Sequence, residues 1–167
     1  MLIRKLEKKD AAELKRCRLR ALCESPDAFL VTHGEVSDTP LAALEAELVD
    51  DDICYVGAFV DGALAGFMRL VRFPRLARRH VAEVRSVHVS AAYRGQGMGA
   101  GLLHRLIELA RQAGIRSLIL AVLADNVAAR RLYESCGFRL YGVEPCAVRK
   151  GDGYIDQALY ALDLAAG

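Results

Sequence analysis

The chain has 167 residues, 53% hydrophobic and 26% charged, a balance typical of one folded domain and unlike a disordered segment. The formal net charge is only +2, which argues against a nucleic-acid-binding protein because such domains are usually strongly basic. The five cysteines are odd in number and form no Cys-x-x-Cys pair, so neither a zinc site nor a disulfide framework is expected.

The N-terminal part predicts a short strand over residues 1–5 and then two helices. Asp10 followed by Glu13 resembles a capping box at the start of the first helix. That helix should end near Ser25-Pro26, because the residue before a proline disfavours helix. Thr39-Pro40 forms an N-cap and first-turn pair for the second helix.

Three consecutive strands follow, over residues 53–60, 63–72 and 81–90. The first segment is apolar and rich in β-formers, and the third is rich in β-branched residues. Asp61-Gly62 is a strong hairpin signal, so residues 63–72 are predicted to form the returning strand. The meander predicts antiparallel pairing.

The C-terminal half alternates between helices and strands. The predicted elements are a helix over 97–113, a strand over 117–122, a helix over 126–136 closed by Gly137, and strands over 138–141 and 155–164. The residues expected on the buried face of the first of these helices are Leu102, Leu103, Leu106, Ala110 and Ala113. The sequence therefore predicts an α/β (α+β) fold, with a mixed, mostly antiparallel central sheet of about seven strands flanked by about four helices.

Four glycines lie within seven residues where the third strand of the meander meets the next helix, at positions 95, 97, 99 and 101. Main-chain N–H groups without a Cβ beside them can close on an anion, and the helix N-terminus adds the positive end of its dipole. Arg94 can pair with a phosphate. A tight turn alone needs only one or two glycines, and glycine inside a helix costs about 1 kcal/mol relative to alanine. A phosphate-binding loop is therefore favoured.

The phosphate ligand is a separate question. Gly95-x-Gly97-x-x-Ala100 formally fits the dinucleotide fingerprint, but that fingerprint belongs near the start of a parallel sheet with an acidic residue ending the next strand. Here an antiparallel meander comes first, and the candidate acid, Asp125, falls beyond the strand. No Gly-Lys-Ser/Thr follows, so a P-loop is excluded.

Two motifs resemble the GNAT N-acetyltransferase superfamily. Residues 94–99, Arg-Gly-Gln-Gly-Met-Gly, match its Arg/Gln-x-x-Gly-x-Gly/Ala signature, and residues 126–138 look like its second signature block. The order of elements agrees over nearly the whole chain. The resemblance implies a GNAT acyl-CoA transferase fold, a single N-acetyltransferase domain over residues 1–167, and transfer of acetyl from acetyl-CoA to a primary amine by direct attack in a ternary complex.

The resemblance also implies a cofactor site. The loop amides would bind the coenzyme A pyrophosphate, the end of the third strand would pair with the pantetheine arm, and Asn126 would hydrogen-bond to the pantetheine. Asn126 is equally a candidate helix N-cap. Arg130 and Arg131 lie one helical turn from the cofactor end and are candidates for the 3′-phosphate. The candidate cofactor-binding residues are Val87, His88, Val89, Arg94, Gly95, Gln96, Gly97, Met98, Gly99, Asn126 and Arg130.

Two residues are candidates for proton transfer. An alkylamine must lose a proton before it attacks, which costs about 4 kcal/mol at pH 7, and Glu83 is the candidate base, directly or through a water. Its alternative is a strand carboxylate paired with Arg85. The resemblance places Tyr133 beside the thioester sulfur, where it would donate a proton to the departing thiolate; the alternative is a core tyrosine.

The acceptor is not identified by the sequence, because acceptor specificity lies on variable loops. Phe29, Tyr154 and Asp156 are candidate acceptor residues, and Asp156 could attract a cationic amine. Two other functions stay open: a catalytically idle acetyl-CoA sensor and a nicotinamide-binding oxidoreductase. A basic loop over residues 75–80 is either solvated surface or a ligand contact.

No signal peptide or bilayer-spanning stretch is visible, and the cysteines are expected to be reduced thiols. We therefore expect a cytoplasmic protein with no membrane, nucleic-acid or metal partner. Its partner is a small-molecule or peptide amine, and the sequence leaves open whether the chain forms a homodimer.

Overall fold

The computed structural model describes residues 1–24 and 31–165. The described strands are β1 (Leu2–Lys5), β2 (Ile53–Val60), β3 (Ala63–Arg72), β4 (Val81–Val89), β5 (Ser117–Leu123), β6 (Arg139–Lys150) and β7 (Gly153–Asp163). The described helices are α1 (Ala11–Glu24), α2 (His33–Asp38), α3 (Leu41–Val49), α4 (Met98–Gln112) and α5 (Val127–Ser135).

The seven strands form one sheet in the order β1-β2-β3-β4-β5-β7-β6. Every neighbouring pair is antiparallel except β4 and β5, which run parallel. The β4–β5 connection contains α4, as a crossover between parallel strands requires. The predicted fold class, a mixed and mostly antiparallel sheet with helices on both faces, is confirmed.

Each face of the sheet has its own hydrophobic core. One core joins α4 and α5 to the sheet, and its fully buried members include Leu102, Leu103, Leu106 and Leu118. The other joins α1 and α3 to β2 and β3. The prediction that Ala113 is buried with the α4 face is wrong: it is the exposed C-cap residue of α4, beyond the last turn that packs on the sheet.

The described chain has one helix more than the sequence predicted. Helix α2 was missed although Thr32 and Glu35 form a capping box at its start. The Thr32 hydroxyl accepts the main-chain N–H of Glu35 at 3.3 Å, and the Glu35 carboxylate accepts the main-chain N–H of Thr32 at 2.7 Å. The pattern Thr-x-x-Glu was a readable helix signal.

The cap predicted for α1 is not formed by the expected residues. Asp10 accepts two hydrogen bonds from the Arg4 guanidinium, at 2.7 and 2.8 Å. Glu13 reaches the sheet instead and accepts the main-chain N–H of Leu64 at 3.2 Å. α1 ends at Glu24, directly before the predicted stop, which lies outside the described residues.

Strand β6 extends far beyond the predicted residues 138–141. Its ladder with β7 continues to Lys150 across a bulge between Glu144 and Val148, which accommodates Pro145. Within the bulge Cys146 has a φ of 51°. β6 lies at the edge of the sheet, where a proline lacking an N–H is tolerated.

Candidate active site

The parallel strands β4 and β5 separate and leave a fork in the sheet. They pair only from Val81 with Ser117 to Glu83 with Ile119, although both strands continue well past these residues. The register between β3 and β4 shifts just beyond this point, where Ser86 has a φ of 52°. A positive φ is rare for a residue with a Cβ. The register shift is a β-bulge, and bulges redirect a strand.

The inner edge of the fork carries main-chain groups of β4. Ser90 donates its N–H to Ala65 on β3 at 2.9 Å. Since alternate residues of a strand face a given neighbour, the N–H groups of Val87 and Val89 point away from β3 and into the fork. The resemblance to the GNAT superfamily implies that these same residues pair with a pantetheine arm.

The glycine loop lies at the end of β4. A short 3-10 turn over Ala91–Tyr93 leads into it, and both Gly95 and Gly97 have positive φ, 73° and 81°. A Cβ at either position would meet nothing within 4 Å, so open space lies in front of the loop. α4 begins at Met98, and its first N–H groups have no carbonyl of the preceding turn to bind.

The other two glycines of the segment pack against neighbours. A Cβ at Gly99 would come within 3.0 Å of Leu132 on α5, and a Cβ at Gly101 within 2.6 Å of Ile3 on β1. The Gly99 position is also 3.9 Å from the Val89 side chain. The loop, the end of β4 and α5 therefore meet at one place.

Glu24 at the end of α1 contacts the loop and was missed by the sequence analysis. Its carboxylate accepts the main-chain N–H of Ala91 at 3.1 Å and lies 3.8 Å from the Arg94 guanidinium. Arg94 Nε donates to the Val89 carbonyl at 2.9 Å. No short-range signal connects residues 67 positions apart in sequence, so this contact is visible only in the fold.

The side chain of His88 lies on the opposite face of the sheet from the side chains of Val87 and Val89. It is 4% exposed, packs against Phe67 with ring centroids 5.9 Å apart, and its Nε2 lies 3.9 Å from the Glu24 carboxylate. Burial lowers the pKa of His88 to about 4, although Glu24 acts in the other direction. The imidazole is therefore neutral at pH 7.

Helix α5 places Tyr133 in the core beside the fork. Tyr133 is 5% exposed and packs edge-on to Phe138 with centroids 6.0 Å apart. Burial raises its pKa, so the phenol keeps its proton at neutral pH. Among the described residues, no hydrogen-bond partner is found for its hydroxyl.

Two other residues of this segment have structural contacts. Asn126 caps α5 by accepting the N–H of Ala129 at 3.1 Å. Arg130 donates to the Tyr160 hydroxyl at 3.0 Å and to the Ala124 carbonyl at 3.1 Å. The Asn126 bond closes the first turn of α5, and the Arg130 bonds join α5 to β7 and to the residue that follows β5.

The candidate base is part of an ion pair on β4. Arg85 Nε donates to Glu83 Oε2 at 2.8 Å, and Arg85 Nη2 contacts the same oxygen. The Glu83 side chain keeps 24% of its surface exposed. The pairing that the sequence left as an alternative is therefore present, and Glu83 still reaches solvent at the last rung before the fork.

Two of the three candidate acceptor residues, Tyr154 and Asp156, lie on β7. Tyr154 is exposed on β7, and Asp156 accepts the main-chain N–H of Cys146 at 2.9 Å, which stabilises the β6 bulge. Phe29 lies outside the described residues.

The basic loop before β4 makes structural contacts. Arg79 forms two hydrogen bonds with Asp52, at 2.7 and 3.0 Å, and Arg78 stacks on Phe73 at 3.9 Å from the ring centroid. These contacts favour the surface alternative over a ligand contact.

Comparison with known proteins identifies the class. The model of the acetyltransferase (GNAT) family matches residues 11–138, more than half of the chain. The chain therefore belongs to the GNAT acetyltransferase family, as its two motifs indicated.

Particular relatives sharpen this assignment. The N-alpha-acetyltransferase RimI of Mycobacterium tuberculosis is 38% identical over 104 residues, which are 62% of this chain and 63% of RimI. This chain thus spans less than two thirds of that relative's length. A GNAT acetyltransferase structure from Streptococcus pneumoniae superposes with a TM-score of 0.82 at 30% identity, covering 97% and 98% of the two chains. The yncA structure from Salmonella typhimurium, which contains its cofactor acetyl-CoA, gives 0.81 at 26% identity, covering 98% and 94%.

Within 1–24 and 31–165, no group of three or more His, Cys, Asp or Glu side chains is placed to hold a metal ion. None of the helices in these two ranges combines the length and apolar character needed to cross a membrane.

Proposed function

We propose that residues 1–167 form a single N-acetyltransferase domain that transfers an acetyl group from acetyl-CoA to a primary amine by direct attack in a ternary complex. The observation that carries this proposal is the fork between β4 and β5, whose inner edge ends at an open glycine loop. We also propose that the protein acts in the cytoplasm.

The described residues fit coenzyme A. An extended pantetheine arm requires a strand edge with free main-chain groups, and the N–H groups of Val87 and Val89 supply one. A pyrophosphate requires converging main-chain donors with space in front of them. The proposed donors are the amides of Gly95, Gln96, Gly97, Met98 and Gly99. The predicted Arg94 amide is not among them, because it donates to the Ala91 carbonyl at 3.3 Å, and Arg94 is assigned to the phosphate through its guanidinium. We further assign Asn126 to the pantetheine, and Arg130 to the 3′-phosphate provided that its bond to Tyr160 opens.

Glu83 is the proposed proton acceptor. When bound, acetyl-CoA supplies a thioester carbon to which the acceptor nitrogen bonds as the carbon–sulfur bond breaks. The acceptor ammonium must lose one proton before it attacks, and its nitrogen releases a second proton to solvent as the amide forms. Glu83 lies at the last rung of the β4–β5 ladder, at the closed end of the fork, and is the proposed acceptor of the first proton. Because Arg85 holds one of its oxygens, the proton reaches Glu83 at the other oxygen or through a water.

Tyr133 is the proposed proton donor to the thiolate sulfur. Its hydroxyl is protonated at neutral pH, and its neighbour Leu132 lies against Gly99 at the mouth of the fork. The transfer leaves the phenolate to regain its proton from solvent after product release. A main-chain N–H of β4 in the fork is the proposed hydrogen-bond donor to the acetyl oxygen.

Neither alternative function gains support. The comparisons give a catalytically idle sensor no backing, since the relatives are named for acetyl transfer. The nicotinamide alternative rested on the dinucleotide fingerprint, which belongs in a parallel sheet, whereas β4–β5 is the one parallel pair of the described sheet. RimI is named for acetylating α-amines, so peptide α-amines belong beside small amines in an acceptor screen.

The test is release of free thiol from acetyl-CoA by the purified protein with a panel of amines, amino acids and peptides. Tyr133→Phe should lower turnover by about tenfold or more while the acetyl-CoA dissociation constant stays within about twofold. Tyr141→Phe, which removes an exposed hydroxyl from β6, is the control and should change neither quantity. Full turnover in the Tyr133 variant would remove this residue from the mechanism, and failure of the protein to bind acetyl-CoA would overturn the function.

A further inference from the structure

Two arginines occupy directly opposed positions beside the fork. Arg69 on β3 pairs in register with Arg85 on β4, so both side chains leave the same face of the sheet. Opposed Cβ atoms are about 4.5–5.5 Å apart, and like charges there destabilise a sheet. A pair that is unfavourable for folding and lies next to a candidate active site indicates a role in binding.

Each guanidinium is drawn toward a separate carboxylate. Arg69 Nη2 is 3.2 Å from Glu47 Oε2, and Arg85 contacts Glu83 through Nε and Nη2. The two cations are therefore held apart and kept in fixed positions. The carboxylates balance the charge but do not use all of the donors.

Donors remain on both arginines. Arg85 donates from Nε and Nη2 to a single Glu83 oxygen. The terminal edge of its guanidinium, formed by Nη1 and the second Nη2 proton, can therefore bind another bidentate partner. Its side chain is 49% exposed, so this end is accessible. Arg69 Nε is buried and has no hydrogen-bond partner among the described residues.

Arg85 also lies at the right place along β4. It follows the last rung of the β4–β5 ladder at Glu83 and precedes the bulge at Ser86. Val87, whose N–H points into the fork, is two residues further on. Beyond β4 the same face of the sheet continues with the side chains of Ile119 and Ala121 on β5, which are not fully buried.

From these contacts we infer that the acceptor is a primary amine with a carboxylate next to its amino group, as in a free α-amino acid, and that Arg85 binds this carboxylate. The inference rests on the proposed function. One carbon separates the two groups of an α-amino acid, so a carboxylate held at the free end of Arg85 directs the amine toward the fork. Glu83, bonded to the other edge of the guanidinium, then lies close to the amine that must lose a proton.

A peptide α-amine is the competing acceptor, and chemistry separates the two. In a peptide the neighbouring carbonyl belongs to an uncharged amide, which gives a guanidinium no charged partner. The comparison to make is therefore between L-amino acids and their α-carboxamides, which share the amine and the side chain. Dipeptides starting with the same residue extend the amide series.

The experiment measures kcat/KM for amino acids and their α-carboxamides by thiol release. The wild-type protein should prefer the best amino acid over its amide by about tenfold or more, the value of one charge-assisted bidentate pair. Arg85→Met keeps the aliphatic stem and should bring this ratio close to one, mainly through KM. Arg85→Lys should retain part of the preference.

Two controls isolate the carboxylate contact from general damage. Glu83→Gln should lower the rate with the amino acid and the amide alike and leave their ratio unchanged. Arg105→Met removes a guanidinium from the exposed side of α4 and should change nothing. A wild-type ratio near one, or a ratio that survives Arg85→Met, overturns this inference while acetyl transfer itself stands. Absence of thiol release with every amino acid, amide and peptide overturns the proposed function and this inference together.

Discussion

The glycine segment contains two pairs that the sequence presents as one. Gly95 and Gly97 have left-handed backbones and face open space, so a side chain there would be strained yet would touch nothing. Gly99 and Gly101 lie in the first turn of α4, where a Cβ would press on Leu132 and Ile3. The first pair shapes a surface toward a ligand, and the second lets a helix approach its neighbours.

The comparison shows that a glycine-rich segment can meet two separate physical requirements, a left-handed backbone and the close approach of a neighbour. Conformation is read from φ, and close approach is read from what surrounds the missing Cβ. The same distinction separates neighbours on β4, where the main chain at Val87 and Val89 faces the fork while the side chain of His88 is buried in the fold. Variants can test which groups serve the ligand and which serve the fold.

The largest effect is expected for Gly97→Glu. A carboxylate there would take the loop donors and repel the pyrophosphate, so acetyl-CoA affinity measured by calorimetry should fall by about a hundredfold or more. Gly114→Glu is the matched control, because Gly114 also has a positive φ, 71°, with nothing near its Cβ position, but follows the far end of α4. Equal losses in both variants would mean that strain, and not the anion site, explains the effect.

His88 should make the fold sensitive to acid. Its pKa is about 4 in the folded protein and about 6.5 in the unfolded chain, so the unfolded state binds the extra proton first. Stability is therefore fully present above pH 6.5 and is lost as the pH falls toward 4, by about 3 kcal/mol. Urea unfolding across this range should show the loss, and His88→Phe should flatten it.

His104→Asn is the control for that experiment, because His104 is exposed on α4. It should leave the acid limb of the stability curve unchanged. The Asp10 carboxylate, whose pKa is lowered chiefly by Arg4, contributes below the window in which His88 acts. An acid limb that persists in the Phe variant would mean that groups other than His88 cause the loss of stability.

Local signals in the sequence predicted most of the architecture. Asp61 and Gly62 adopt the positive φ values, 50° and 82°, that their hairpin pattern indicated, and Asn126 caps α5. These features depend on a few adjacent residues and on the backbone conformations that those residue types prefer. The glycine loop was predictable for the same reason.

The features that the sequence did not predict depend on contacts between distant residues. The bond from Ala91 to Glu24 and the opposition of Arg69 and Arg85 exist only once helices and strands have been placed. The positive φ of Ser86 has no sequence signal at all, since serine is not a left-handed residue by preference. Site geometry here is a product of sheet register, which periodicity cannot supply.

A smaller effect on the free energy of unfolding is expected for Gly101→Ala, and its sign should depend on the residue at position 3. Alanine would place a Cβ 2.6 Å from Ile3 Cδ1, and this overpacking should outweigh the helix propensity gained and cost about 1 kcal/mol of unfolding free energy. Ile3→Val deletes that methyl group. In the Ile3→Val background the same alanine should stabilise the protein by about 1 kcal/mol in urea titration, with acetyl-CoA affinity unchanged in all four proteins of the cycle.

Gly99→Ala should have the smallest effect on the free energy of unfolding. This variant tests whether Gly99 serves helix packing, as Gly101 does, or ligand binding, as Gly95 and Gly97 do. Its Cβ would sit 3.0 Å from Leu132 Cδ2, a contact that a half-buried leucine can relieve by a small rotation, so stability should change by less than about 0.5 kcal/mol. Leu132 precedes Tyr133, so turnover should fall severalfold while acetyl-CoA affinity holds. Adding Leu132→Ala should restore turnover. If Gly99→Ala instead lowers acetyl-CoA affinity as Gly97→Glu does, Gly99 belongs with Gly95 and Gly97. Its role would then be to leave space for the ligand and not to let α5 pack closely.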